Sequence, residues 1–312
     1  MQNLLPLIQT ALELGLLCGL TTLALFLSYS MLNVCDLSTD GCFTLGAAVG
    51  AAVAIAGHPY LSIPAAMGAG VLSGFVTALL QTRMGVDSLL AGIIVNTGLY
   101  SVNIFVMGGA TQLNLNRADT IFTAIKSFLS QTPLAGQYRL VTALLAVLMI
   151  ILFLAFFLNT RLGLSIRATG DNPDMIRSSS VDPAFTTIVG LCVANAFTGL
   201  SGCLLSQSQK SVSIDIGSGM LTIALASLLI GRTLIPSGGI FVRAAGMVLG
   251  SFIFRLVYTI ALRFHMPAYM LKLISSVIVV LAIFIPYLAG RREIYLKIIR
   301  RRKSRYPEEN SP

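Results

Sequence analysis

The residues of this chain that could do chemistry sit in three polar interruptions of an apolar sequence. Asn33-Val-Cys-Asp-Leu-Ser-Thr-Asp-Gly41 gathers the carboxylates of Asp36 and Asp40 with Ser38 and a glycine, just ahead of an apolar run that carries Thr44. Ser211-Val-Ser-Ile-Asp-Ile-Gly-Ser-Gly219 repeats that composition, with Asp215 and Ser218 ahead of Thr222. Asp or Ser before an apolar run marks a helix N-terminus. Inside a membrane, such a start leaves free backbone N–H groups and a positive dipole end, to be satisfied by protein, water or a solute anion. Two readings stay open for both segments, simple caps or the lining of a solute path. The mid-run amides Asn96, Asn103 and Asn195 carry the same alternative, between interhelical hydrogen bonding and a path. The third interruption runs from Arg161 to Arg177 and holds three arginines, Asp171, Asp174, Gly170 and Pro173. A simple connection needs about two to eight residues. A longer, helical and charged loop reads as a docking surface for a cytoplasmic partner.

The elements that must position these residues follow from composition. With 55% hydrophobic and 11% charged residues and a mean hydropathy of +0.85 over 312 residues, the chain is an all-α polytopic membrane protein with no separate soluble domain. About nine spans (range about eight to ten), each near ~20 residues, are expected at 4–31, 41–57, 61–81, 88–108, 138–158, 184–206, 218–231, 240–262 and 268–289. The seventh is short and reads as a half-helix or a re-entrant segment. The long loop at 109–137 has an amphipathic stretch, Ile121 to Leu129, read as an external helix. The first run has no basic leader and is read as a retained helix. Five scattered cysteines without CxxC spacing are read as small buried hydrophobes.

Charge sets the orientation. With the basic tail at 291–312 inside the cell, fourteen of the 21 Lys and Arg residues fall on that side, including Arg83, Arg232, Arg243 and the 161–180 loop. The N-terminus then lies outside. The net charge of +9 is read as topology and attraction to anionic lipid, with no nucleic-acid role. Arg255 and Lys272 fall within spans and should snorkel or face protein. A weak internal repeat aligns Gly41-Cys-Phe-Thr-Leu-Gly-Ala-Ala48 with Gly219-Met-Leu-Thr-Ile-Ala-Leu-Ala226, and the pair Gly70 and Gly74 with Gly246 and Gly250. The repeat units, 36–108 and 214–289, are separated by an odd number of crossings and so lie inverted within a 1–290 transmembrane domain. There is no G-x-x-x-x-G-K-[ST] loop, no H-E-x-x-H, and no clustered His/Cys set, so neither catalytic nor metal-ligating residues are assigned.

Three segments then carry a resemblance. Cys35-Asp-Leu-Ser-Thr-Asp-Gly-Cys-Phe-Thr-Leu-Gly-Ala47, the loop Arg161-Leu-Gly through Arg167-Ala-Thr-Gly-Asp-Asn-Pro173, and Gly231-Arg-Thr-Leu-Ile-Pro-Ser-Gly-Gly239 resemble, in order, permease subunits of bacterial ABC importers of the branched-chain amino acid and ribose type. The likeness is nearest to the branch linked to tryptophan or tyrosine uptake. It implies a type II importer fold and a coupling helix formed by Arg167, Ala168, Thr169, Gly170, Asp171, Asn172, Pro173 and Arg177 in a cleft of a separate ATPase dimer. Asp171 and Pro173 would start that short helix. It also implies that ATP and magnesium are bound by the ATPase and that this chain binds no cofactor. A second copy of the chain, with the solute passing between the two, a binding protein or lipoprotein outside, and the bacterial inner membrane with a cytoplasmic C-terminus complete the expectation. The solute implied is a small one, an amino acid, with aromatic ones among the candidates. Ser180-Val181-Asp182 departs from the Gly-Ile or Gly-Val common there. The rival class is a secondary transporter with inverted repeats. It would carry ion-coupling carboxylates in the membrane, whereas Glu13 is the only acidic residue well inside a clear span.

Overall fold

A computed structural model describes residues 4–129, 135–263, 273, 275–282 and 284. Among them, α1 (Leu4–Leu25) continues as a π-helical turn (Phe26–Met31), and α3 (Ser62–Thr82) follows α2 (Thr39–Ile55) across a short 3₁₀ turn. Next come α4 (Ser88–Val106), α5 (Ile121–Leu129), α6 (Tyr138–Asn159), α7 (Arg161–Asp171) and α8 (Pro173–Ser178). The chain then runs through α9 (Pro183–Gln209), α10 (Met220–Leu234) and α11 (Ile240–Arg263). Six of these described elements are long and apolar enough to cross a membrane, within 6–31, 59–82, 88–106, 138–159, 183–209 and 240–261. The expected second and seventh spans are shorter apolar helices, of 17 and 15 residues. The ninth, expected at 268–289, falls largely outside the described residues. Its described part includes helical residues 275–282, with Ile278 packed against Ala226 and Phe254. One small strand pair was not anticipated: β1 (Gln112–Asn114) runs antiparallel to β2 (Ser211–Ser213), and the loop after α4 is tied to the loop before α10 by it.

The core lies around α1 and α9. Lipid-soluble helices gain little from apolar burial against one another, so close backbone approach and hydrogen bonds hold them together. Gly70 and Gly74 bring α3 against the backbone of Asn195 and Leu191 on α9, and Gly46 of α2 touches Gly199. On α1, Gly15 and Gly19 meet Phe252 and Val248 of α11. Thr21 donates to Ser201 (2.9 Å), Ser201 to the carbonyl of Leu17 (2.7 Å) and Ser251 to that of Gly15 (2.8 Å). The aligned glycine pairs differ in use, since Gly246 and Gly250 face Ile235 and the Ser227 to Gly231 stretch next to them in the chain. Arg255 faces protein as expected. It is buried, donates from Nη2 to Cys18 Sγ at 2.9 Å, and lies 5.5 Å from the Tyr258 ring centre. Leu72, Phe75 and Val76 on α3 and Leu148, Met149, Leu152 and Phe156 on α6 stand exposed, as lipid-facing side chains do.

α5 occupies the amphipathic stretch expected of it. Ile121 and Phe122 are buried, Lys126 and Ser127 are exposed, and the Ile121 N–H donates to the Gln207 side chain at 3.0 Å. The charged 161–178 segment is two helices meeting at an elbow. Thr160 caps α7 by accepting from Gly163 N (3.3 Å). The start of α8 corrects the expectation for Asp171: Asn172 is the cap, accepting from the N–H groups of Asp174 and Met175, both at 3.1 Å, with Pro173 at the first helical position.

Candidate functional site

α2 and α10 begin where their neighbours are half-way along. Asp36 Oδ2 accepts from Asn195 Nδ2 at 2.7 Å, and Asn195 lies near the middle of the 27-residue α9. After the π-helical turn, the chain turns through left-handed Asn33 (φ +57°) and re-enters the bundle as irregular backbone, so that α2 starts beside the middle of α9. Asp36 Oδ1 accepts the Ser38 N–H at 2.8 Å, closing a side-chain turn that orients the first residues of α2. Ser38, itself buried, accepts from Thr77 of α3 at 3.3 Å. Asp36, Ser38 and Asn195 therefore form a packed internal network.

Asp40 does something the sequence did not suggest. Although it lies in the first turn of α2, its carboxylate caps α10: Oδ2 accepts from Gly219 N at 2.9 Å and Oδ1 from Leu221 N at 2.7 Å. Gly219 holds φ +84°, a left-handed turn natural to glycine, and Gly217 passes so close to the Asp40 carbonyl that a Cβ there would collide. Asp215, read as a cap of the seventh span, stands exposed instead, with its carbonyl accepting from Ser218 N at 3.0 Å. The α10 N–H groups go to Asp40. The carboxylate count is corrected too: Asp36 and Asp40 reach the interior, and each is compensated by hydrogen bonds from Asn195, Ser38 or α10.

Beside this junction is a cavity of about 330 Å³, at the small end of ligand-site volumes. α2 contributes Asp40, Gly41 and Thr44, and the loop before α10 contributes Ile214, Asp215 and Ser218. α4 contributes Asn96, Thr97, Tyr100 and Asn103. The cavity brings together five of the nine proposed path residues: Asp40, Thr44, Asn96, Asp215 and Ser218. Asp36, Ser38 and Asn195 lie outside the lining, and Thr222 is exposed on α10. Thr97 and Tyr100 were missed. For Tyr100 the signal was available, because 96, 100 and 103 share one face at helical spacing and make a polar stripe, with Thr97 beside it. Asn103 Nδ2 donates to the Gly41 carbonyl at 3.2 Å, while its buried Oδ1 has no partner among the described residues.

The 161–178 elbow is the second feature. Gly170 abuts the carbonyl of Met31 and the backbone of Leu32, where a Cβ would collide. Thr169 and Thr186 share a 2.8 Å hydroxyl contact that fixes α7 to α9. On the outer face, Arg177 sits 3.8 Å from Asp174, with both side chains exposed, and Leu162, Leu164 and Met175 are also exposed. Arg167 and Arg232 are the cationic neighbours of Arg243, which lies 5.6 Å from the Phe26 ring centre.

Comparison with known proteins gives one family model, the branched-chain amino acid transport system permease component, matching residues 7–283. A tyrosine transport system permease protein of Clostridioides difficile is 29% identical over 85% of this chain and 86% of its own length. An uncharacterized protein of Rickettsia prowazekii is 30% identical over 72% of this chain and 76% of its own. A nucleoside ABC transporter permease protein of Lactococcus lactis subsp. cremoris is 25% identical over 50% and 47%. No solved structure matches.

Proposed function

The chain belongs to the branched-chain amino acid permease family of ABC transporters, a transport component and not an enzyme, and from that premise we propose that it is the translocating subunit of an ATP-driven importer for a small amino acid, aromatic ones included. Two copies assemble on a separate ATPase dimer that holds ATP and magnesium. An external binding protein or lipoprotein delivers the solute. The protein sits in the bacterial inner membrane with its tail in the cytoplasm, and the two repeat units lie inverted within it. The Asp40 cavity serves as a station on the solute path, and the α7–α8 elbow is the coupling surface.

One observation carries this reading: the elbow and the cavity share a short backbone connection. Gly170 rests on Met31 and Leu32, and the chain runs from there through Asp36, which is locked to Asn195, to Asp40, which caps α10. A push on α7 by a partner would reach the cavity through the nine residues from Leu32 to Asp40, a short turn-rich segment held by hydrogen bonds from Val34 N, Ser38 N and Asn195. Rigid-body motion at an interface is relayed by such packed connections. Exposed Leu164 and Met175, flanked by Arg167 and Arg177, supply an apolar centre with charge around it, the make-up of a docking surface.

The test is reconstitution with a candidate ABC ATPase and binding protein from the same genome. ATP-dependent uptake of a radiolabelled amino acid is expected. Met175→Asp combined with Arg177→Glu is expected to abolish ATPase binding while leaving the thermal stability of the purified permease within about 0.5 kcal/mol, since both residues are exposed. Retained binding by the double variant would move the coupling surface elsewhere.

A further inference from the structure

The cavity at the α2–α10 junction is acidic and rich in acceptors. Asp40 and Asp215 both line it, and none of the described residues lining it is Lys, Arg or His. Each Asp40 oxygen accepts one N–H from α10 and keeps further lone-pair capacity. Asn103 is 2% exposed, and its Oδ1 has no hydrogen-bond partner among the described residues although the residue lines the same cavity. A buried acceptor without a donor is costly and marks a place where a donor is missing.

These features select among the charged groups a small solute could present. A solute carboxylate would meet two carboxylates and no cation. The one anion seat in the cavity wall, the N-terminus of α10, is already filled by Asp40. A neutral, hydroxyl-bearing solute such as a nucleoside would bring donors but no positive charge to a wall that carries two carboxylates. An ammonium group brings one positive charge and three donors. Its charge matches the two carboxylates of the wall, and its three donors match the acceptors that Asp40, Asp215 and Asn103 bring to the same cavity. Tyr100, whose ring stands on the cavity wall, offers a face to the rest of such a solute.

We propose that this cavity is a recognition site for the primary ammonium group of the transported solute, with Asp40, Asp215 and Asn103 Oδ1 as its acceptors. The proposal rests on the importer reading above and names the group of the amino acid that this cavity takes. It assigns Asp215 a binding role distinct from helix capping.

The experiment uses the full-length chain with one cysteine introduced by Thr97→Cys, a cavity position whose hydroxyl bonds only to its own helix in the described contacts. Cys18, Cys42 and Cys203 are buried, so only Cys35 and Cys192 need replacement by Ser. Labelling by a small aqueous thiol reagent is followed in the presence of L-tyrosine, tyramine, which lacks the carboxylate, 3-(4-hydroxyphenyl)propionate, which lacks the ammonium, or guanosine. Protection by L-tyrosine and tyramine alone is expected. Asp215→Asn should raise the concentration of tyramine needed by about tenfold, the loss of one charged hydrogen bond. Asp87→Asn, a cap of α4 away from the cavity, should leave it unchanged. If Asp40→Asn folds, it should weaken protection by a similar factor; if it does not, Asp215→Asn alone decides. Protection by the propionate or by guanosine that matches or exceeds that by tyramine overturns the ammonium site, as does tyramine protection untouched by Asp215→Asn. Protection by none of the four also overturns it. In each case ATP-dependent uptake by the reconstituted complex would still stand for the importer reading, which fails only if that uptake is absent.

Discussion

The two polar entrances, 33–41 and 211–219, look alike in sequence and are used in opposite ways. The first donates a side chain outward: Asp40 leaves its own helix and caps the other. The second donates backbone: Gly219 turns left-handed so that its N–H and that of Leu221 face Asp40, and Asp215 is left in the open. Asp36 adds a further difference, since it is tied to Asn195 in a buried network and its counterpart Asp215 is tied to nothing comparable. Resemblance between two helix entrances therefore says that both start in polar surroundings. It does not say which of them supplies the acceptor. A cap can come from another helix wherever two starts meet inside a bundle, because each start leaves N–H groups that a neighbouring carboxylate can take.

The largest effect should come from breaking the shared cap. Asp40→Ala removes both bonds to α10 and leaves its first N–H groups without partners in the bundle interior. A loss of about 3 kcal/mol of stability is expected, seen as a clear drop in the thermal unfolding midpoint in detergent, together with loss of uptake. Asp40→Asn keeps one acceptor oxygen and should lose about half as much. Equal stability of Asp40→Ala and the parent would mean that α10 is held by its packing on α11 and not by the cap.

Much of this was legible in the sequence. The positions of the described apolar helices, the amphipathic α5, the charged elbow and the polar entrances all follow from hydropathy period and residue type. What could not be read was pairing between distant segments. Asp36 and Asn195 are 159 residues apart, and Asp40 and Gly219 are 179 apart. Their union depends on how the α2–α9 and α1–α11 faces approach, which Gly46, Gly15 and their neighbours allow by presenting backbone to backbone. Local rules gave Asp215 and Asp171 as caps because the caps that formed, from Asp40 and Asn172, were respectively remote in the chain and one residue away. The polar stripe of α4 was visible at helical spacing, but only the fold shows that it faces the two entrances.

A smaller effect is expected inside the first entrance. Asp36→Ala strands the Asn195 amide in a fully packed environment and removes the turn that begins α2, for a loss of about 2 kcal/mol. The double change Asp36→Ala with Asn195→Ala should cost less than the sum of the two single changes, because the second removes the orphan that the first creates. Strict additivity in a double-mutant cycle of unfolding midpoints would show that the two side chains do not depend on each other.

Between these lies the elbow, where a change acts at a distance from both entrances. Gly170→Leu forces a side chain into the carbonyl of Met31 and the backbone of Leu32, so the segment leading to Asp36 must shift. Overpacking of this kind costs about 1–3 kcal/mol. Thiol labelling at Thr97→Cys should change in this variant even though the two sites share no contact. Unchanged labelling, with uptake lost, would place the defect at the partner surface alone and cut the connection between elbow and cavity.

The smallest effect sharpens the comparison most. Asp215 is the acidic residue ahead of Gly219 as Asp36 is ahead of Gly41, and the sequence left both open between capping and a solute path. In the fold Asp215 is exposed, and the N–H groups it would have capped are already bonded to Asp40. Asp215→Ala should therefore change stability by no more than about 0.5 kcal/mol, the ordinary range for an exposed substitution. Asp36→Ala, made in the same background and melted side by side, should lie well below it. If the two variants melt together, the entrances are equivalent after all, and the cap supplied by Asp40 is not what separates them. If Asp215→Ala is silent in the melt yet weakens solute protection of the cavity, the second entrance serves recognition through its side chain and structure through its backbone. The first entrance combines both in Asp40.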